Sequence, residues 1–122
     1  VLPQSHEFRI PPLILYGRGA FDRAGEQARP FGERALVVCG RTATRGSGLA
    51  ERLVEMLKAA GVAPTLFDRV EPEPSNATVD ACMEAIRDCG AQVVIGIGGG
   101  SPLDVAKAAA GIADLGGITE DY

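Results

Sequence analysis

Residues Gly98 to Lys107 read Gly-Gly-Gly-Ser-Pro-Leu-Asp-Val-Ala-Lys. They stand between an apolar run, Gln92 to Ile97, and an alanine-rich stretch that extends to about Ala113. Consecutive glycines let a turn take up positive φ and let a foreign atom approach the backbone where a Cβ would otherwise stand. A helix starting just after such a turn aims unpaired N–H groups and the positive end of its dipole at the same point. Together these features make a place for a phosphate or diphosphate. The spacing predicts Ser101 as helix N-cap, Pro102 as the first helical residue and Asp104 as the partner of Ser101 in a capping box. A capped helix packed against its strand needs one glycine, and three cost chain entropy, so the loop reads as an anion cradle rather than a tight turn alone. Lys107 lies one turn beyond Asp104, placed either to pair with it or to stand in solvent.

The loop is not the common dinucleotide fingerprint. G-x-G-x-x-G requires glycine where Ser101 stands, and it belongs after the first strand rather than the third. Glycine loops of lipid, sugar and NAD kinases carry an acid inside the loop; Gly98-Gly99-Gly100-Ser101 carries none.

The elements that must position this loop follow from periodicity. Phe8–Tyr16 is apolar but broken by Pro11 and Pro12, which suits an edge strand, and the turn Gly17-Arg18-Gly19 leads into a short helical stretch, Ala20–Ala28. Ala35–Cys39 is a continuous apolar run of strand length ending at Gly40. From Leu49 the pattern turns helical, with Leu49, Leu53, Leu57 and Ala60 on one face and charges on the other, up to Gly61. Pro64–Val70 reads as a second strand, and Val79, Cys82, Met83 and Ile86 mark a second amphipathic helix stopped by Gly90. Gln92–Ile97 and Ser101–Ala113 repeat the strand–helix unit. Three such units predict an α/β domain: a Rossmann-like parallel sheet with right-handed crossovers and helices on both faces. Ligands of such sheets lie beyond the strand carboxyl ends, where the chain offers Gly40–Gly48 and Gly98–Asp104.

Composition bounds the rest. The chain has 122 residues, enough for one core, with 46% hydrophobic and 23% charged residues and a formal charge of −4. Lys and Arg form no block, which argues against nucleic acid or an anionic membrane as partner. No apolar run approaches the ~18 residues needed to cross a bilayer, and the first residues carry no signal-peptide pattern, so a cytoplasmic location is expected. Cys39, Cys82 and Cys89 form no C-x-x-C pair and read as small apolar residues in a reducing compartment. His6 is the sole histidine and nothing else has metal-ligand spacing, so this chain by itself is expected to bind no metal.

The decad Gly98–Lys107 resembles the GGGS-x-x-D-x-AK signature of the iron-containing (group III) alcohol dehydrogenases. Gly17-Arg18-Gly19, the Phe67-Asp68 strand and Asp121-Tyr122 are similar to other family features in the same order. The resemblance implies the N-terminal part of a dehydroquinate synthase-like, iron-type alcohol dehydrogenase fold. It implies a nicotinamide-dependent oxidoreductase moving hydride between its cofactor and an alcohol, aldehyde or ketone. Gly99, Gly100, Ser101 and Asp104 are then expected to bind the cofactor pyrophosphate and its surroundings. The end of the first strand, Gly40, Arg41 and Thr42, is expected to select the cofactor. Many NAD-using members place an aspartate at that position; here Gly40 leaves room and Arg41 offers a fork of donors to a 2′-phosphate, which favours NADP(H) over NAD(H).

Two departures qualify the likeness. The family's P-N-P after the second strand is Pro72-Glu73-Pro74 here, so the asparagine contact does not carry over and Glu73 reads as solvated. The aspartate and three histidines that hold a divalent metal (iron or zinc) in a helical C-terminal domain are not in these residues. The expectation is therefore a nucleotide-binding domain over 1–122, incomplete at its C-terminal end, with catalytic and metal residues elsewhere and no turnover by this stretch alone. Its partners are expected to be a small alcohol or carbonyl substrate and further copies of itself, since a truncated sheet leaves an apolar edge. Glycerol dehydrogenase, maleylacetate reductase and dehydroquinate synthase-like enzymes share the GGG loop and stand as alternatives. A non-enzymatic nucleotide-binding module is the reading if the chain is complete.

Overall fold

A computed structural model describes residues 21–41, 48–98 and 100–115. The expected opening strand, the Gly17–Gly19 turn, Thr42, Gly99 and Asp121-Tyr122 lie outside the described residues. Three strands, β1 (Arg34–Gly40), β2 (Ala63–Val70) and β3 (Val93–Gly96), alternate with α2 (Leu49–Ala59), α3 (Asn76–Cys89) and α4 (Gly100–Leu115). The short α1 (Ala24–Ala28), flanked by single 3-10 turns, precedes them.

All pairings are parallel and the order is β2-β1-β3. Leu36 lies opposite Thr65 on one side and Val94 on the other, and Val38 opposite Phe67 and Gly96. β1 is thus the central strand of the described sheet. Its side chains alternate between two cores, which is why its sequence is apolar without a break. Leu36 and Val38 join Phe67, Cys82, Met83, Val105 and Ala109 beneath α3 and α4. Ala35 and Val37 join Ala28, Leu53, Leu57 and Val62 beneath α1 and α2. Each fully buried Leu, Val or Met side chain contributes about 1.5–3 kcal/mol relative to exposure, so these two layers hold the loops at the strand ends in place.

The parallel sheet covered on both faces agrees with the pattern read from the sequence. β3 does not share the expected two-sided burial: all four of its residues are only partly buried, because among the described residues it is a sheet edge, paired with β1 alone. Helix α3 begins at Asn76 with Ser75 as its N-cap, the Ser75 Oγ accepting from the Thr78 N–H at 3.3 Å. Cys39, Cys82 and Cys89 are not joined by disulfides, and the first two are buried. No helix among the described residues is long and apolar enough to cross a membrane.

Candidate functional site

The strand order decides where a ligand can sit. The chain leaves β1 toward β2 on one side and returns to β3 on the other, so the connections part between β1 and β3. The crevice outside the carboxyl ends of such a strand pair is where open α/β sheets bind ligands. Here that crevice is bounded by Gly40-Arg41 after β1 and by the glycine turn after β3. The Ile97 N–H donates to the Val38 carbonyl at 2.9 Å, carrying the pairing to the edge of the turn. Gly98 then adopts φ of +123°, a state that residues with a Cβ seldom take.

Two further glycines shape the crevice by what surrounds them. A methyl group on Gly100 would meet nothing within 4 Å. One on Gly40 would make only ordinary contacts, 3.7 Å to the Val70 carbonyl oxygen and 4.0 Å to Pro102 Cγ. Gly96 is the opposite case. Its methyl would fall 3.1 Å from Leu103 Cδ2 and 3.2 Å from Ala106 Cβ, so glycine here lets α4 lie against β3. The close packing of the helix on its strand therefore rests on Gly96, and Gly100 beyond it leaves open space.

The structure corrects the capping box. Helix α4 begins at Gly100, with Ser101 already inside its first turn. The Ser101 hydroxyl does not cap; it donates to the Pro72 carbonyl at 2.7 Å, tying the proline loop after β2 to the start of α4. Pro102 is buried in the first turn, where its missing N–H costs no helical bond. Asp104 is exposed one turn along, as is Lys107. The N–H groups of the first turn, including those of Gly100 and Ser101, have no intrahelical acceptor and face the crevice end of the helix.

On the other rim, Arg41 is two-thirds exposed and places Nη2 3.8 Å from Glu71 Oε2. Glu71 is the better-fixed partner. The Thr78 hydroxyl donates to its Oε1, and this bond, backbone hydrogen bonds and the nearby Arg41 charge hold its carboxyl below the ordinary glutamate range against a partial desolvation. Arg69 lies over the Phe67 ring at 4.7 Å. Arg41, Phe67, Arg69, Glu71 and Thr78 line one open cleft of about 240 Å³. Sequence reading brought out Gly40, Arg41, Gly100, Ser101 and Asp104 but missed Glu71, Arg69 and Thr78. Ser75 after the proline loop is a readable N-cap for α3, but no local pattern pairs Thr78 with Glu71. Glu73 is exposed, as expected.

The model of the iron-containing alcohol dehydrogenases matches residues 11–122. This chain belongs to that family. It is 34% identical over 109 residues to the NADH-dependent butanol dehydrogenase A of Clostridium acetobutylicum, covering 88% of this chain and 28% of that protein. It is 35% identical over 101 residues to the NADPH-dependent butanol dehydrogenase of Clostridium saccharobutylicum, covering 83% and 25%. The crystal structure of an iron-containing alcohol dehydrogenase from Thermotoga maritima superposes with a TM-score of 0.78 at 33% identity, covering 94% of this chain and 32% of that one. The chain thus spans less than a third of the length of these relatives. Among the described residues no three His, Cys, Asp or Glu side chains come together as ligands for a metal ion. The metal in the family's name therefore has no ligand set among them.

Proposed function

We propose that this chain forms the coenzyme-binding face of a nicotinamide-dependent oxidoreductase acting on small alcohols and the corresponding aldehydes or ketones. The observation that carries the reading is the convergence of Gly40-Arg41 with Gly98, Gly100 and Ser101 at the β1–β3 crevice, with open space at Gly100 and a 16-residue helix starting there. A diphosphate fits such a place, since unsatisfied amides and the helix dipole favour an anion. Gly99, Gly100 and Ser101 would hold it through backbone N–H groups, with Asp104 in its surroundings. Gly40, Arg41 and Thr42 would take the adenosine ribose. The bound cofactor supplies or accepts the hydride; this chain's residues bind and orient it.

Arg41 and the missing acid at position 40 favour NADPH over NADH, because a guanidinium fork suits a 2′-phosphate. The relatives include proteins named for either cofactor, so the preference rests on these two residues. Metal ligands and substrate contacts are assigned to the remainder of such a protein, and the active species is expected to be a homo-oligomer in the cytoplasm. The test is a fluorescence titration with NADPH and NADH. Saturable binding of both, tighter for NADPH, is expected; binding of neither would remove the coenzyme reading, and tighter NADH would reverse the preference.

A further inference from the structure

The geometry points to Glu71 as a specificity-determining residue: its carboxylate engages Arg41 and opposes a 2′-phosphate at the same guanidinium, holding down the preference for NADPH over NADH. This rests on the reading that Gly40–Thr42 takes the adenosine ribose.

Glu71 and Arg41 are unequal partners. Glu71 is held by the Thr78 hydroxyl, and its side chain is only one-third exposed. Arg41 is 64% exposed, and its contact with Glu71 among the described residues is 3.8 Å long. The anion is held by a neighbouring hydroxyl and the cation ends a long, exposed side chain, so the position of the guanidinium is set from the Glu71 side. Any second anion that uses Arg41 must share it with, or take it from, that carboxylate. An exposed pair at this distance is weak enough to be displaced. The repulsion between two anions gathered at one guanidinium remains after displacement.

The same cleft supplies a counterweight. Arg69, stacked on Phe67, lines it together with the Glu71–Thr78 pair, so the charged side chains there are two arginines and one glutamate. An anionic group entering the cleft meets a net positive surface in which Glu71 is the sole opposing charge among the lining residues. The bare ribose hydroxyls of NADH carry no charge to be repelled, and a carboxylate can accept hydrogen bonds from them. The Glu71 carboxylate therefore acts differently on the two cofactors, as selectivity requires.

The experiment is a double-mutant cycle read by NADPH and NADH fluorescence titration of the protein, with Glu71→Gln, Arg41→Gln and both together. The glutamine amide keeps an oxygen for the Thr78 hydroxyl, which preserves the loop. Removing one unit charge about 4 Å from another in a wet site is expected to tighten NADPH binding about fivefold, with NADH changed less than twofold. In the Arg41→Gln background the gain should shrink, which a merely structural role for Glu71 would not produce. Thr78→Val, which releases the carboxylate from its anchor, should move the ratio the same way by less. An unchanged NADPH-to-NADH ratio in Glu71→Gln, or weaker NADPH binding, overturns the assignment while the coenzyme reading stands. Binding of neither cofactor by the unaltered protein overturns both.

Discussion

The Ser101 hydroxyl donates to the Pro72 carbonyl across 2.7 Å, tying the loop after β2 to the first turn of α4. That bond links the two rims of the crevice, because Pro72 directly follows Glu71, whose carboxylate reaches Arg41. Ser101→Ala removes it. A net cost of about 0.5–1.5 kcal/mol is expected, at the lower end since the site is partly wet. Coenzyme affinity should fall several-fold with it, and Ser101→Thr should retain both properties. Urea unfolding midpoints alongside cofactor titrations check this; an alanine variant unchanged in both would refute the coupling.

Gly96 sits where α4 crosses β3, where a methyl group would fall within 3.2 Å of atoms of Leu103 and Ala106. Gly96→Ala must push Leu103 and Ala106 outward or shift the helix start. Overpacking of this kind costs about 1–3 kcal/mol. Because Leu103 lies in the first turn of α4, the displacement also reaches the amides at the crevice. A lowered melting temperature together with weaker cofactor binding is the expected pair of results. Loss of stability with unaltered affinity would show that the helix start is positioned by other contacts.

Much of this arrangement was legible in the sequence. The unbroken apolar run Ala35–Cys39 reads as a strand buried on both faces, as β1 is, and Leu53 and Leu57 fall on the buried side of their helix as their spacing requires. The glycine turn was placed correctly at the end of β3, but the role of Ser101 was not. A serine before a proline has the local preferences of a cap, whereas the acceptor it uses, Pro72, is 29 residues away. The strand order was equally out of reach. Nothing within β1, β2 or β3 records that β1 takes the middle place, and it is that order which brings Arg41 beside the glycine turn. No periodicity or motif marks Glu71 in the proline loop; the fold alone brings the Thr78 hydroxyl to its carboxylate.

Glu71 also gives the fold an acid dependence of known sign. Its carboxyl titrates below the ordinary glutamate value of 4.5, chiefly through the Thr78 hydrogen bond. A depressed folded pKa means that the unfolded chain binds the proton more readily. The contribution is therefore complete above about the unfolded value, and it is lost as pH falls below 4.5 and through the lower folded pKa. Glu71→Gln should be less acid-sensitive than the unaltered protein across that window and parallel to it near neutrality. Denaturant midpoints measured over the acid range up to neutral pH would expose the difference; parallel curves throughout would contradict the linkage.

The cysteines should divide by burial. Burial pushes the Cys82 thiol up to about 11, partly opposed by Arg69, so at neutral pH it holds its proton and offers no thiolate. Cys39 is fully buried in β1, whereas Cys89 is half-buried at the end of α3. Alkylation of the native protein near neutral pH should label Cys89 first, with Cys39 and Cys82 modified only after denaturant is added. Mass spectrometry of the labelled peptides decides the order. Rapid native labelling of Cys82 would mean that α3 opens readily from the sheet.

The sharpest test of cofactor choice lies at position 40. Gly40 is not among the glycines with positive φ, and a methyl there would make only ordinary contacts, so Gly40→Asp should fold. Its carboxylate would stand at the end of β1, able to accept hydrogen bonds from ribose hydroxyls and to repel a 2′-phosphate. Arg41 would then face two acids, the new one and Glu71, and would be less available to the phosphate. Like charges at such separations shift preference on the order of tenfold in a solvated site, so NADH should become the tighter ligand. Arg41→Gln alone should weaken NADPH without improving NADH, because it removes a donor and adds no acceptor. A Gly40→Asp protein with an intact melting curve and the original preference would mean that the adenosine ribose is held somewhere other than the end of β1.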